Sequence, residues 1–171
     1  MISPPSCGVN SGTASGRTIG YYQGANVRSR ACNKIYPHQI NITGYTHLYF
    51  AFASIDPSTF QIVPASSDDI ALYSEFTALK SSKLQTWIAV GGFDFSDKGP
   101  TRHTWSILCS DAKLRQQFIT SVISFLDTYG FQGIDLDWEY PGDADRGGVP
   151  EDTQNFVLLV KELSQAFAGK V

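Results

Sequence analysis

The chain has 171 residues, of which 42% are hydrophobic and 13% aromatic, and its formal net charge at pH 7 is −3. This is enough apolar material for one globular core, and the chain is too short for two domains of ordinary size. The acidic balance provides no basic surface for phosphate backbones or anionic lipids, so we expect neither nucleic acid nor a membrane as partner. No apolar run approaches the roughly 20 residues of a membrane-spanning helix.

Residues 1–17 differ in composition from the rest of the chain. They are rich in Ser, Gly and Pro and poor in apolar residues, which predicts a flexible lead-in or linker. They also lack the basic and apolar regions of a signal peptide, so an exported form is expected to have lost its leader. The three cysteines lack the short spacing of a zinc site, and they are either partly disulfide-bonded or simply small buried residues. They are Cys7, Cys32 and Cys109.

Strand-like and helix-like segments alternate along the remaining chain. Four short apolar-rich stretches predict strands, mostly of the kind buried on both faces. They are residues 18–23, 45–53, 84–90 and 131–142. Three segments with apolar residues at helical spacing begin near Asp68, Asp111 and Glu151.

Alternating strands and helices predict parallel strands joined by right-handed crossovers, and therefore an α/β fold. A (β/α)8 barrel has eight strands and typically about 250 residues, so a barrel of this kind would be represented by its first half. The alternative is a complete small open sheet with helices on both faces. Periodicity alone leaves both architectures open.

The fourth predicted strand carries three carboxyl groups at strict alternation. Because alternate side chains of a strand share a face, we expect Asp135, Asp137 and Glu139 on one face and the apolar residues between them on the other. Like charges this close raise at least one pKa, since the second carboxyl ionises against the field of the first. We expect Glu139 to remain protonated as a general acid, Asp137 to stay charged, and Asp135 to share a proton with Asp137.

Two other interpretations of the acidic face are open. The carboxylates could belong to a solvent-exposed edge strand, although the apolar residues between them favour a buried strand. They could also be oxygen ligands of a hard metal ion such as Mg²⁺ or Ca²⁺. Gly91-Gly92 lies at a strand end but lacks the pattern of a phosphate-binding loop, so a metal-assisted phosphohydrolase is the weaker competitor.

The residues around these carboxylates resemble a known family. Gly133-Ile134-Asp135-Leu136-Asp137-Trp138-Glu139-Tyr140-Pro141 is similar to the fourth-strand signature of glycoside hydrolase family 18, the chitinases. Further motifs occur in the family's order and approximate spacing. These are Gly20-Tyr21-Tyr22, Thr46-His47-Leu48, Phe50-Ala51-Phe52-Ala53 and Val90-Gly91-Gly92. Asp145-Arg146-Gly147-Gly148 is similar to secreted fungal chitinases in particular.

The resemblance covers about residues 17–171 but only about half of the family's barrel. It implies that residues 18–171 form the N-terminal half of a catalytic domain, the first half of a (β/α)8 barrel. The partner it implies is chitin or N-acetylglucosamine oligosaccharides, with no cofactor and no metal, in a secreted protein. Oligomeric state is left open. Later strands of the family contribute further sugar contacts, so we expect a truncated chain that is inactive alone; the alternative is a non-catalytic chitin-binding protein.

The resemblance also implies a retaining, substrate-assisted mechanism. Glu139 would protonate the glycosidic oxygen, and the carbonyl oxygen of the substrate's N-acetyl group would be the nucleophile. Asp137 would bind the acetamido N–H and stabilise the oxazolinium ring, with Asp135 in support.

Six further residues are implied as substrate contacts. They are Tyr21, Phe52, Gly91, Gly92, Phe93 and Tyr140. Ordinary core packing explains Phe52 equally well, and Phe93 stands where the family commonly has a tryptophan. Gln132 stands where the longer form of the family signature has an acidic residue. Alternation along the strand places Gln132 on the face opposite the three carboxyl groups, so we expect a modest structural effect.

Overall fold

The computed structural model describes residues 16–169. Its strands are β1 (Ile19–Gln23), β2 (His47–Ile55), β3 (Ile62–Pro64), β4 (Gln85–Gly91) and β5 (Ile134–Asp137). Its α-helices are α1 (Ala25–Ser29), α2 (Asp69–Thr77), α3 (Thr104–Ser110), α4 (Ala112–Tyr129) and α5 (Asp152–Ala168). Short 3-10 turns lie at Pro37–Gln39, Phe93–Ser96 and Ala144–Arg146. The predicted lead-in at 1–17 lies almost wholly outside the described residues.

The sheet has the order β1-β2-β4-β5, and each neighbouring pair is parallel. Helices connect the strands, which is the repeating unit of a (β/α)8 barrel, and the four parallel strands supply half of its eight. The predicted α/β class and partial barrel are therefore confirmed. Because all four strands run in one direction, their carboxyl ends lie at the same edge of the sheet.

Three short elements were absent from the predicted set. The first is β3, which pairs antiparallel with the end of β2 and adds a fifth strand to the four predicted parallel ones. Three residues are too few to show a strand period. The other two are the helices α1 and α3, whose N-cap residues Gly24 and His103 make no side-chain capping bonds. Helices of five and seven residues without a cap leave no start signal in the sequence.

The predicted helix starts have different local causes. Asp111 caps α4 by accepting hydrogen bonds from the backbone N–H groups of Lys113 and Leu114, as predicted. The left-handed Gly130, at φ 77°, ends that helix. Asp68 and Glu151 occupy the corresponding positions of α2 and α5, but neither makes a side-chain capping bond. The predicted starts of these two helices are therefore confirmed, although neither start residue acts as a side-chain cap.

The core lies between the outer face of the sheet and helices α2 to α5. Its largest fully buried side chains come from both layers, and they include Phe50, Ile88, Tyr73, Phe76, Trp105, Phe118 and Leu159. Most of the apolar residues that recur at helical spacing face this core. Ile70 and Val160 are among the exceptions, each 45% exposed, because their helix positions turn away from the sheet.

An open apolar groove of about 660 Å³ runs along the free side of β5, between α4 and α5. Phe131, Leu136, Phe156 and Leu163 are among the residues that line it. A right-handed crossover after α5 places the next parallel strand of a (β/α)8 barrel at this position. The groove is therefore the open seam of the partial barrel.

The two described cysteines are unpaired. Cys32 is exposed and Cys109 is fully buried, and burial raises the pKa of the Cys109 thiol to about 12. Cys109 thus matches the prediction of a small buried residue, while Cys7 lies outside the described residues. Between residues 16 and 169, no helix combines the length and the apolar character needed to cross a membrane.

Candidate active site

The acidic stretch lies at the carboxyl end of β5, against β4. In the parallel register, Ala89 is opposite Asp135 and Gly91 is opposite Asp137. The last sheet bond runs from the N–H of Gly92 to the carbonyl oxygen of Asp137, at 2.9 Å. The strand ends there, so the prediction that Glu139 also belongs to the strand was wrong. The backbone bends at Glu139 and then turns at Pro141-Gly142.

The three carboxyl groups have different hydrogen-bond partners. The hydroxyl of Tyr21 donates to Oδ2 of Asp135 at 2.8 Å. Hydrogen bonding to Glu139 is one of the causes that raise the pKa of Asp137, and Tyr140 lies near enough to Glu139 for this carboxyl group to raise the Tyr140 pKa. Asp135 therefore bonds to a tyrosine and acts on Asp137 through its charge, while Asp137 and Glu139 form the directly bonded pair.

The surroundings shift the proton equilibria of this group. Burial raises the pKa of Asp137 to about 6, and the negative charges of Glu139 and Asp135 add to the rise. Burial also raises the pKa of Asp135, although the hydrogen bond from Tyr21 acts in the opposite direction. Burial, followed by the bond to Asp135, raises the pKa of Tyr21. Asp137, which we expected to stay charged, therefore keeps its proton to a higher pH than an ordinary aspartate.

The raised pKa of Asp137 predicts a measurable pH dependence of stability. Between the ordinary value of 3.8 and about 6, the folded chain holds a proton that the unfolded chain has lost. The free energy of unfolding therefore falls as the pH rises through this window. Asp137→Asn removes the titrating carboxyl group, so the free energy of unfolding of this variant should depend less on pH in this window. The measurement is urea unfolding from pH 3.5 to 7.

The control for this profile is Asp68→Asn, since Asp68 is exposed and makes no capping bond. We expect it to preserve the wild-type slope. A profile for Asp137→Asn parallel to that of the wild type would contradict the assignment.

Both predicted glycines are required by close contacts. Gly91 has φ 102°, and a Cβ at this position would lie 2.4 Å from the carbonyl oxygen of Asp137. Gly92 has φ 87°, and its Cβ would lie 2.9 Å from the ring of Phe52. These positive φ values already disfavour other residues. The glycines thus let β4 approach Asp137 and let Phe52 lie over the backbone of residue 92.

A β-bulge determines where Phe52 points. Ala51 pairs with Ala89 and Ala53 pairs with Val90, so Phe52 has no partner in β4. A bulge re-aims the side chain of the extra residue, and here the ring is directed over Gly92. Phe52 is only partly buried, in contrast to the fully buried aromatic residues of the core.

One residue that the predicted site lacked is Arg146. Its Nε donates to the carbonyl oxygen of Glu139 at 3.1 Å, and its Nη1 donates to Oδ1 of Asp97 at 2.5 Å. Its Nη2 bonds to the carbonyl oxygen of Phe93, and its guanidinium lies 3.8 Å from the centre of the Phe93 ring. Arg146 belongs to the Asp145-Arg146-Gly147-Gly148 motif, and this motif is the sequence signal that could have identified Arg146 as part of the site.

Together these contacts bring all nine predicted site residues into one connected group. Tyr21 reaches Asp135, the two glycines and Phe52 surround the carbonyl end of β5, Tyr140 lies near Glu139, and Arg146 joins Phe93 to the same loop. Tyr21, Phe93 and Tyr140 are each more than half exposed. Within the described residues, no group of three His, Cys, Asp or Glu side chains is arranged to hold a metal ion.

Several solved chitinases have the same fold. Catalytic domain 2 of the group II chitinase from Ostrinia furnacalis, a mutant in complex with penta-N-acetylchitooctaose, is 34% identical with a TM-score of 0.82. A class V chitinase mutant from Cycas revoluta in complex with (GlcNAc)3 is 30% identical with a TM-score of 0.73. Each match covers 90% of this chain, but only 41% and 42% of the respective structures.

Sequence relatives agree with these structures. Mouse chitotriosidase-1 is 37% identical over 136 residues, and mouse oviduct-specific glycoprotein is 43% identical over 136 residues. These matches cover 78% of this chain but 27% and 18% of the respective relatives. This chain thus spans less than a third of the length of either relative. The family model for glycosyl hydrolases family 18 matches residues 17–171, and the chain belongs to that family.

Proposed function

We propose that this chain carries the proton-transfer machinery of a chitin-hydrolysing site that acts by a retaining, substrate-assisted mechanism. The observation that carries the proposal is the hydrogen-bonded pair of Asp137 and Glu139 at the carboxyl end of β5, with the pKa of Asp137 at about 6. A shared proton at this position can be delivered to a leaving group near neutral pH. Active sites of (β/α)8 barrels lie at this end of the strands.

Each carboxyl group has a distinct part in the proposed reaction. Glu139 gives its proton to the glycosidic oxygen while the carbonyl oxygen of the substrate's N-acetyl group attacks the anomeric carbon. Asp137 turns to accept a hydrogen bond from the acetamido N–H and stabilises the positive oxazolinium ring, with the charge of Asp135 behind it. Water then opens this ring, with Glu139 as its base, and the original anomeric configuration is restored.

The exposed aromatic residues support a carbohydrate substrate. Tyr21, Phe93 and Tyr140 present partly open rings beside or near the carboxyl groups, and aromatic rings offer sugars an apolar face together with polar edges. The solved relatives in complex with N-acetylglucosamine oligomers support β-1,4-linked N-acetylglucosamine polymers as the substrate class. We therefore assign Tyr21, Phe52, Gly91, Gly92, Phe93 and Tyr140 to substrate binding.

We also propose how this chain relates to a complete catalytic domain. The matched length and the open seam beside β5 support the view that residues 18–171 are the N-terminal half of a catalytic domain. The remaining strands would then complete the sugar-binding surface. A secreted, extracellular location fits an insoluble polymer that the enzyme must meet outside the cell. The fungal-type resemblance stays a prediction.

A second candidate function is a non-catalytic protein that binds chitin oligosaccharides. The similarity to oviduct-specific glycoprotein, whose name is not that of a hydrolase, supports this alternative, as does the open seam of the barrel. The presence of Glu139 in a hydrogen-bonded acidic pair favours the enzyme.

Chitotetraose and cellotetraose form a matched pair of test ligands, since they differ in the N-acetyl group that the mechanism uses. We expect the 171-residue chain to bind chitotetraose and not cellotetraose in calorimetric titrations. Where the native polypeptide continues beyond this chain, we expect the complete polypeptide to hydrolyse chitotetraose and to release the β-anomer first. Binding without hydrolysis by the complete polypeptide would establish the second candidate, and initial release of the α-anomer would contradict the retaining mechanism.

A further inference from the structure

Glu139 needs a support other than the sheet. The last hydrogen bond between β4 and β5 involves the carbonyl oxygen of Asp137, so the strand pairing ends two residues before Glu139. General acid catalysis requires the donor within hydrogen-bond distance of the leaving oxygen. Some other contact must therefore hold the backbone of residue 139.

Arg146 provides that contact with all three guanidinium nitrogens engaged. Its side chain is only 14% exposed, and its acceptors are the carbonyl oxygens of Glu139 and Phe93 and the carboxylate of Asp97. Glu139 belongs to the loop after β5, whereas Phe93 and Asp97 belong to the turn after β4. One planar guanidinium group thus joins two neighbouring loops at the carboxyl ends of the strands.

The loop around Arg146 is built to present this side chain. Asp143 accepts a hydrogen bond from the backbone N–H of Asp145 at 2.9 Å, and its carbonyl oxygen accepts one from Gly148 at 2.8 Å. Gly147 has φ 84°, and a Cβ there would lie 2.7 Å from Cγ of Arg102. The Asp-Arg-Gly-Gly motif therefore forms a tight turn with an arginine that points back toward Glu139.

We propose that Arg146 is a positioning residue that holds the backbone of Glu139 in place and couples it to the Phe93 turn. The inference rests on the proposed function for its catalytic meaning, but its structural content is independent of that function. It also predicts that lysine substitutes poorly for Arg146, since a single ammonium group lacks the three directed nitrogens that meet these acceptors.

The test is Arg146→Gln, with Arg102→Gln as matched control. Arg102 donates to the carbonyl oxygen of Asp145 in the same loop at 2.6 Å, but it makes no hydrogen bond to Glu139. The primary readout is the titration of Asp137 in the 171-residue chain, followed by carboxyl ¹³C NMR. Displacing Glu139 removes part of the cause of the raised Asp137 pKa, so this pKa should fall.

The direction of the shift separates positioning from a simple loss of charge. Removing a nearby positive charge alone would raise a carboxyl pKa, whereas moving Glu139 away lowers that of Asp137. We expect Arg146→Gln to lower it, Arg146→Lys to lower it less, and Arg102→Gln to leave it unchanged. An unchanged or raised Asp137 pKa in Arg146→Gln would overturn the proposal. If Arg146→Gln fails to fold, an Asp137 pKa in Arg146→Lys equal to that of the wild type would overturn the proposal.

A second readout uses the form of the protein that hydrolyses chitotetraose. There we expect Arg146→Gln to lower kcat on the order of 10- to 10²-fold, because a displacement of about 1 Å costs this much, while KM stays within about twofold. A rise in KM alone would overturn the positioning role. If no form of the protein hydrolyses chitotetraose, the proposed function fails, and the titration still decides the role of Arg146.

Discussion

Glu139→Gln is expected to lower the turnover of chitotetraose by about 10²- to 10⁴-fold, the usual contribution of a general acid. Glutamine keeps the shape of the side chain and its place beside Asp137, but it has no proton of suitable acidity to deliver. Oligosaccharide binding should therefore change little, so the loss should appear in kcat and not in KM. Turnover is measured on the form of the protein that hydrolyses chitotetraose, and binding is measured on the 171-residue chain.

Glu151→Gln is the matched control for this change. Glu151 is exposed at the start of α5 and makes no side-chain capping bond, so the same chemical replacement there should leave both turnover and binding unchanged. Wild-type turnover in Glu139→Gln would exclude Glu139 as the acid. Loss of binding together with turnover would instead show that this side chain mainly holds the substrate.

Gly91→Ala is expected to destabilise the fold by about 2–4 kcal/mol, since a positive φ and a backbone clash act together. The added methyl group would lie 2.4 Å from the carbonyl oxygen of Asp137. Relief of this clash requires β4 and β5 to separate at the point where the acidic pair begins. We therefore expect a lower urea midpoint and, in the hydrolysing form, a lower kcat.

Gly99→Ala is the control for the glycine substitution. A Cβ at Gly99 would meet nothing within 4 Å, and the residue does not have a positive φ. Its urea midpoint should match that of the wild type. Equal midpoints for Gly91→Ala and the wild type would show that β4 tolerates a side chain at this contact.

The fold class was predictable because its signals are local and repeated. Continuous apolar runs appeared as β2 and β4, and the helical segment predicted to begin near Asp111 appeared as α4 with Asp111 as its cap. The short β3 was missed because three residues show no alternation, and α1 and α3 were missed because neither short helix has a side-chain cap. The ends of β5 were also misplaced, since alternation of polar and apolar residues continues in the sequence beyond the last sheet hydrogen bond.

The candidate site was predictable as a set of residues and not as a network of contacts. Alternation indicated that Asp135 and Asp137 share a face, and the signature motif indicated Glu139. Which carboxyl shares a proton with which depends on distances between side chains, and Tyr21 reaches Asp135 from a strand 114 residues away in sequence. Arg146 was visible in a motif, but only the meeting of the two loops shows that its three nitrogens bond to three different residues. Side-chain type and strand parity are encoded locally, whereas pKa values and hydrogen-bond partners arise when distant segments pack together and exclude water.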